Sequence, residues 1–119
     1  MSISTQRLYD AARARHGADS SDQRFISVFF DALRCVKGEV EVECRLDFDM
    51  PTVLTEDIDI DEKHHSTIST GLKFHIANHG EWMMEDSSKI EKYYRQAKKV
   101  SQMAAHQDEG NEGKLGDQS

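Results

Sequence analysis

The sequence lacks the features that mark membrane, secreted and nucleic-acid-binding proteins. No apolar run approaches the roughly 20 residues that cross a bilayer, and we expect no secretion signal because the N-terminal residues have no apolar core. The net charge of −7 argues against a general nucleic-acid binder, which needs basic side chains opposite the phosphates. An acidic lining would still let a protein surround DNA without gripping it, because like charges keep the DNA mobile.

Cysteine and proline are also scarce, with two cysteines and one proline in the chain. Cys35 and Cys44 both occupy apolar positions of their local patterns. We therefore expect two buried free thiols in a reducing compartment. A disulfide or a catalytic thiol is the alternative.

The apolar supply is thin for a self-sufficient core. Hydrophobic residues make up 37% of the 119 residues, and charged residues make up 31%. One domain of this length buries only about two-thirds of its unfolded surface. This composition favours a subunit that completes its burial against copies of itself.

Apolar residues recur at helical spacing in four segments. Ser20 with Gln23, and Ser88 with Glu91, form capping boxes that open the second and fourth of these segments. Gly38 is placed to stop the second helix. The predicted helices cover about residues 4–16, 20–38 and 61–79, and begin again at residue 88.

A β-hairpin is predicted between the second and third helices. Apolar and charged residues alternate over Glu39–Phe48, which is typical of a strand with one buried face. The proline of D-M-P-T breaks this pattern, and Val53–Ile60 can return as a second strand. A lone hairpin is marginal in water, so we expect it to pack on a helix or to extend a neighbour's sheet.

The predicted fold class is therefore α+β, mainly α, with about four helices and one β-hairpin between the second and third helices. We predict a single helical domain over residues 1–106, with the hairpin at about 39–60. Residues 107–119 are predicted to form a flexible C-terminal tail. This segment has three glycines and only one large apolar residue, Leu115, so it cannot bury enough surface to order itself alone.

No group of residues completes a catalytic or metal site. His75 and His79 have a spacing that can place two imidazoles on one metal, but zinc needs three or four ligands, and Ile76 replaces the glutamate of a metalloprotease motif. The acids from Glu56 to Glu62 lack the glycine of a calcium loop. The chain has no nucleophile elbow, phosphate-cradling loop or C-x-x-C. We therefore predict a protein that is not an enzyme and has no metal or cofactor.

Charged and aromatic residues supply the candidates for an interface. Alternation places one set of carboxylates on the wet face of each predicted strand. Tyr93 and Tyr94 cannot both face inward on one helix. Two interpretations of the aromatic residues therefore stay open: packing in the core and an apolar interface with another protein. The interface candidates are Glu39, Glu41, Glu43, Asp57, Asp59, Asp61, Trp82, Tyr93 and Tyr94.

A family resemblance extends over about half of the chain, and two segments carry it. They are I-D-I-D-E-K-H-H-S-T-I-S-T-G-L-K-F-H-I-A at Ile58–Ala77 and K-I-E-K-Y-Y-R-Q-A at Lys89–Ala97. An acidic strand, a helix containing Gly-Leu and a tyrosine-bearing helix follow one another. In this order the chain resembles the small head-to-tail connector (adaptor or neck) proteins of tailed bacteriophages.

The resemblance implies a structural virion protein made in the host cytoplasm. Such a subunit forms a homo-oligomeric ring, twelve-fold in many similar proteins, between the portal protein and a tail or neck protein. The genome passes nearby without sequence-specific binding, and no membrane is involved. The alternative function is a small acidic regulatory protein that binds a basic partner protein.

Overall fold

The computed structural model consists of four helices and a two-stranded antiparallel sheet. It describes the backbone of residues 2–19 and 22–117, and the side chains of these residues up to Ala105 except at position 81. This architecture confirms the predicted fold class, α+β and mainly α. Short 3-10 turns precede and follow the third helix. The elements in chain order are β1 (Ser2–Ile3), α1 (Thr5–His16), α2 (Gln23–Cys44), β2 (Ile58–Asp59), α3 (His65–Ala77) and α4 (Ser87–Asp117).

Helix α2 continues through the segment predicted as a strand, so the strand over Glu39–Phe48 is wrong. Val36, Val40 and Cys44 are four residues apart and all buried, whereas Val42 is 82% exposed. Within α2, Val40 and Cys44 of the alternating run therefore face the core, and Val42 does not. When apolar residues stand at every second position, half of them also stand at every fourth position, which is close to one helical turn. Here the segment is helical, and the residues four apart face the core along one side of α2.

The end of α2 lies well beyond the predicted stop. Gly38 continues the helix, and Arg45 closes it in the left-handed conformation with a φ of 55°. The backbone N–H of Leu46 then donates to the carbonyl oxygen of Val40 at 3.1 Å, which satisfies an otherwise open carbonyl of the last turn.

The sheet joins β2 to the N-terminus rather than to a preceding strand. Ser2 pairs with Asp59, and Ile3 pairs with Ile58. The predicted hairpin at about 39–60 is therefore wrong in its position and its first strand, although Ile58–Asp59 does lie in the predicted second strand. Residues 45–57 connect α2 to β2 without regular secondary structure.

Helix α3 lies between α1 and α4, and α2 packs across all three. Leu8 and Ala11 of α1 line a small hollow with Leu72 on one side of α3. On the other side, Thr67 and the backbone at Gly71 meet α4. The outer edges of the α1–α3–α4 layer are thus formed by α1 with the sheet and by α4.

The main hydrophobic core belongs to α2 and the elements next to it. Tyr9 of α1 meets the rings of Phe25 and Phe29 edge-on, with centroids 6.0 and 5.4 Å apart. Ile58 of β2 and Ile68 of α3 are fully buried in the same cluster. Helix α4 is attached separately, chiefly through Ile90, Tyr94 and the buried hydroxyl of Ser101.

Helix α4 is 31 residues long, so it spans about 46 Å. Its backbone includes most of the segment predicted as a flexible tail, residues 107–119. The side chains of that segment and residues 118–119 lie outside the described part of the chain, and the flexible tail and the domain boundary at residue 106 stay predictions.

Gly71 is required where α3 and α4 cross. A Cβ at this position would lie 2.8 Å from both Tyr94 Cε1 and Val36 Cγ2. We expect Gly71→Ala to destabilise the fold, since overpacking costs about 1–3 kcal/mol and the gain in helix propensity returns only about 1 kcal/mol. The measurement is the free energy of unfolding from urea titration.

Gly38→Ala is the matched control for this substitution. Gly38 lies within α2, and no other group stands within 4 Å of the place that a Cβ would occupy there. We expect this change to stabilise the protein by up to about 1 kcal/mol. Equal effects from the two substitutions would contradict the close crossing at Gly71.

Candidate functional site

The predicted acidic strand face becomes part of a helix, and its carboxylates divide between two environments. Glu39 and Glu43 turn toward α4, where both approach Lys98. Glu41 is exposed and lies 3.5 Å from the ammonium of Lys37. These three candidates therefore do not form one wet surface, and two of them hold helices together.

Glu39 is the centre of a polar cluster that joins three helices. Its Oε1 accepts hydrogen bonds from the Tyr94 hydroxyl at 3.0 Å and from the ring of His75. Its Oε2 lies 3.9 Å from the ammonium of Lys98. The same ammonium sits 4.4 Å above the ring centre of Tyr94 and 3.1 Å from Glu43. The cluster satisfies its own charges and donors, and so it serves helix packing.

Burial raises the pKa of Tyr94 far above its ordinary value, and the nearby carboxylate of Glu39 raises it further. Only 1% of Tyr94 is exposed. The phenol therefore stays protonated at neutral pH and keeps donating to Glu39, which is the behaviour of a structural donor.

A second polar cluster lies buried between the start of α3 and α4. His64 Nδ1 is 2.9 Å from the hydroxyl of Ser101, which is 2.5 Å from the hydroxyl of Thr67. Thr67 also donates to the carbonyl oxygen of Ala97 at 3.1 Å. Sequence reasoning missed this cluster. The available signal was the spacing of Ile90, Ala97 and Ser101, which places a hydroxyl on the buried stripe of α4.

The two histidines with metal-binding spacing separate in the structure. His75 contacts Glu39, whereas His79 is exposed beyond the end of α3. Within the described residues, no group of three or more histidine, cysteine or carboxylate side chains is placed to hold a metal ion.

The acids around β2 are exposed and lie on the side of α3 that faces α1. Asp57 shares a surface hollow with Ser2 and Arg7, and Asp59 points outward from β2. Asp61 accepts a hydrogen bond from the backbone N–H of Lys63 at 3.0 Å, and this bond lowers the pKa of its carboxyl. Asp57 and Asp59 make no ion pair with any described side chain.

The aromatic candidates have three different roles. Tyr94 is buried and Tyr93 is 51% exposed, in agreement with the expectation that the two cannot both face inward. The ring of Trp82 is half-buried and meets Phe25 edge-on, with centroids 5.0 Å apart. Trp82 therefore closes the core near the end of α3, and Tyr93 alone remains on the surface.

The outward side of α4 combines lysines with large apolar side chains. Lys92 and Lys99 are exposed, and no carboxylate in the described part of the chain lies within ion-pairing distance of either. Val100 and Met103 are 63% and 62% exposed on the same helix. Together with Tyr93, these five residues form what we call the outer α4 face.

The cysteines differ from each other. Cys44 is buried and its thiol donates to the carbonyl oxygen of Lys98 at 3.4 Å, and burial raises its pKa. Cys35 is exposed, so the prediction that both thiols are buried is wrong for Cys35. On α2 it lies off the stripe of Phe29, Leu33 and Val36 that faces the core.

Comparison with known proteins gives no relative: no family model, curated protein or solved structure matches this chain. Among the residues that the structure describes, no helix has both the length and the apolar character to cross a membrane.

The raised pKa of Tyr94 predicts a loss of stability in alkaline solution. The unfolded chain releases this phenol proton near pH 10 while the folded chain retains it. The stability that it contributes is therefore fully present below about pH 10 and declines above that pH. We expect the free energy of unfolding of Tyr94→Phe to fall less steeply between about pH 9 and 11 than that of the parent.

Tyr93→Phe is the control for this pH profile, because the Tyr93 hydroxyl is on the surface. Its unfolding free energy, measured by urea titration at each pH, should follow the parent profile. A parent-like slope for Tyr94→Phe would contradict the assignment to Tyr94.

The two thiols should react at different rates with a water-soluble thiol reagent. We expect Cys35 to be modified quickly in the folded protein, and Cys44 to be protected until the chain unfolds, because burial and its high pKa both disfavour the thiolate. The measurement is the reagent absorbance with and without denaturant. Rapid modification of folded Cys35→Ser would contradict the burial of Cys44.

Proposed function

We propose that this chain is a non-enzymatic structural subunit of a bacteriophage head-to-tail connector. In this role it forms part of an adaptor ring between the portal protein and a tail or neck protein, and the genome passes through the ring. Its place is the virion, after synthesis in the cytoplasm of the bacterial host.

The observation that carries the proposal is the contact between the two segments of the resemblance. Gly71 belongs to the segment Ile58–Ala77, and Tyr94 belongs to the segment Lys89–Ala97. The Tyr94 ring occupies the space that a side chain at Gly71 would need. The Gly-Leu helix and the tyrosine helix that resemble connector proteins therefore pack directly against each other.

The chemistry of the polar clusters also favours a structural role. Glu39, His75 and Tyr94 direct their hydrogen bonds to one another, and His64 and Ser101 are buried away from solvent. Side chains that act on a substrate must be reachable by it. The outer α4 face and the acids near β2 are among the exposed groups, and they suit contacts with other proteins.

Analysis of purified phage particles tests the proposal. We expect peptides of this chain in DNA-filled particles at a fixed ratio to the portal protein, and we expect a label on the chain to appear by electron microscopy at the junction of head and tail. Peptides of a cytoplasmic host protein, followed in the same preparation, control for carry-over.

Absence of the chain from purified particles would overturn the connector proposal. If the chain were then recovered from lysate in a stable stoichiometric complex with a basic protein, the alternative of an acidic regulator would replace it. Such a complex would be expected to use the exposed carboxylates Asp57 and Asp59.

A further inference from the structure

The opposite edges of the helix layer carry opposite charges. Asp57 and Asp59 lie at the edge formed by α1 and the sheet, on one side of α3. Lys92 and Lys99 lie on the outer α4 face, at the other edge. Helix α3 stands between them, so these charges cannot neutralise each other within one molecule.

Each of these charged groups is free to meet a partner. Some other surface charges are paired, as Lys37 is with Asp47 and Arg95 is with Glu91, at 2.7 and 2.5 Å. By contrast, the two lysines and the two aspartates have no partner of opposite charge in the described part of the chain. Arg7 lines the same hollow as Asp57, so a positive charge borders the acidic segment on the α1 side.

Apolar side chains beside the lysines indicate that the outer α4 face becomes covered. Tyr93, Val100 and Met103 are all more than half exposed and occur within three turns of the same helix. A helix that remained in water would gain nothing from three such residues on its outward side, whereas an interface gains from burying them.

We propose that the outer α4 face of one copy binds the Asp57–Asp59 segment of a second copy. Lys92 and Lys99 attract the two carboxylates, while Tyr93, Val100 and Met103 lose their exposure to water. The two surfaces lie on different edges of the molecule, so the contact is head-to-tail, and its repetition gives a closed ring or an open filament. The identity of the ring rests on the proposed function, but the contact itself does not.

Charge reversal of the full-length chain tests this contact. The first variant is Lys92→Glu/Lys99→Glu, and the second is Asp57→Lys/Asp59→Lys. In sedimentation velocity at about 50 mM salt, we expect each variant to associate at least about tenfold more weakly than the parent. We also expect association of the parent to weaken as salt is raised, because ions screen charges of this kind.

An equimolar mixture of the two variants is the decisive measurement. The first variant has an acidic α4 face and a normal Asp57–Asp59 segment, and the second has the opposite arrangement. Reversed α4 faces then meet reversed segments, and normal faces meet normal segments, so the mixture should associate although neither variant does alone. Arg34→Glu/Lys73→Glu, which changes the net charge as the first variant does but elsewhere on the surface, should behave as the parent does.

Three results would overturn the contact. They are a parent that stays monomeric up to about 100 μM at low salt, variants that associate as well as the parent, and a mixture that does not regain association. Circular dichroism melting of each variant separates a lost contact from a lost fold: a variant that is unfolded is replaced by Lys92→Gln/Lys99→Gln or Asp57→Asn/Asp59→Asn.

Failure of this contact is distinguishable from failure of the connector role. If the chain is present in particles, but the purified protein associates equally well with and without the charge reversals, the contact is overturned and the connector role stays in place. If the chain is absent from particles, but its association is lost in each charge-reversal variant and regained in their mixture, the connector role is overturned and the contact stays in place.

Discussion

The ring of Tyr94 holds α4 to the rest of the molecule because α3 offers it a glycine and α2 offers it a carboxylate. Gly71 leaves room for the ring, and the carboxylate of Glu39 accepts a hydrogen bond from the phenolic hydroxyl. The residues of the main hydrophobic cluster belong to α1, α2, α3, β2 and the loops next to them, and none of them lies on α4. The position of the longest helix is therefore set by its own contacts with α2 and α3, among them the Tyr94 ring at Gly71, the buried side chain of Ile90 and the hydrogen bonds of Ser101.

Buried hydroxyl groups then fix how far α4 is shifted along α3. The two helices run antiparallel, with Gly71 opposite Tyr94 and Thr67 opposite Ser101. A sliding of α4 by one turn would leave the hydroxyls of Thr67 and Ser101 without partners in a dry environment, at a cost of about 1–3 kcal/mol each. Apolar contacts alone are less selective, because a leucine tolerates many neighbours. The polar clusters thus contribute register more than they contribute net stability.

Helical periodicity predicted α1, α3 and the start of α4 from the sequence, whereas the alternation after Gly38 wrongly predicted a strand where α2 continues. The segment after Gly38 alternates strictly, and a local pattern cannot tell whether Val42 or only Val40 and Cys44 will meet the core. That choice depends on which side of α2 the rest of the core packs against, and tertiary structure decides this. The same limit applies to the sheet: β1 has only two residues, and pairing with Ile58–Asp59 depends on chain closure over more than fifty positions.

The candidate site could likewise be predicted from the sequence only in part. The opposed directions of Tyr93 and Tyr94 follow from helix geometry alone, and the structure confirms them. The contact between Glu39 and His75 could not be predicted from the sequence, because it depends on the relative placement of two helices. A sequence pattern therefore identifies which side chains on one helix share a face, and tertiary structure decides which faces meet. The lysines and apolar side chains of the outer α4 face remain exposed among the described residues, and for that reason they point to contact with another molecule.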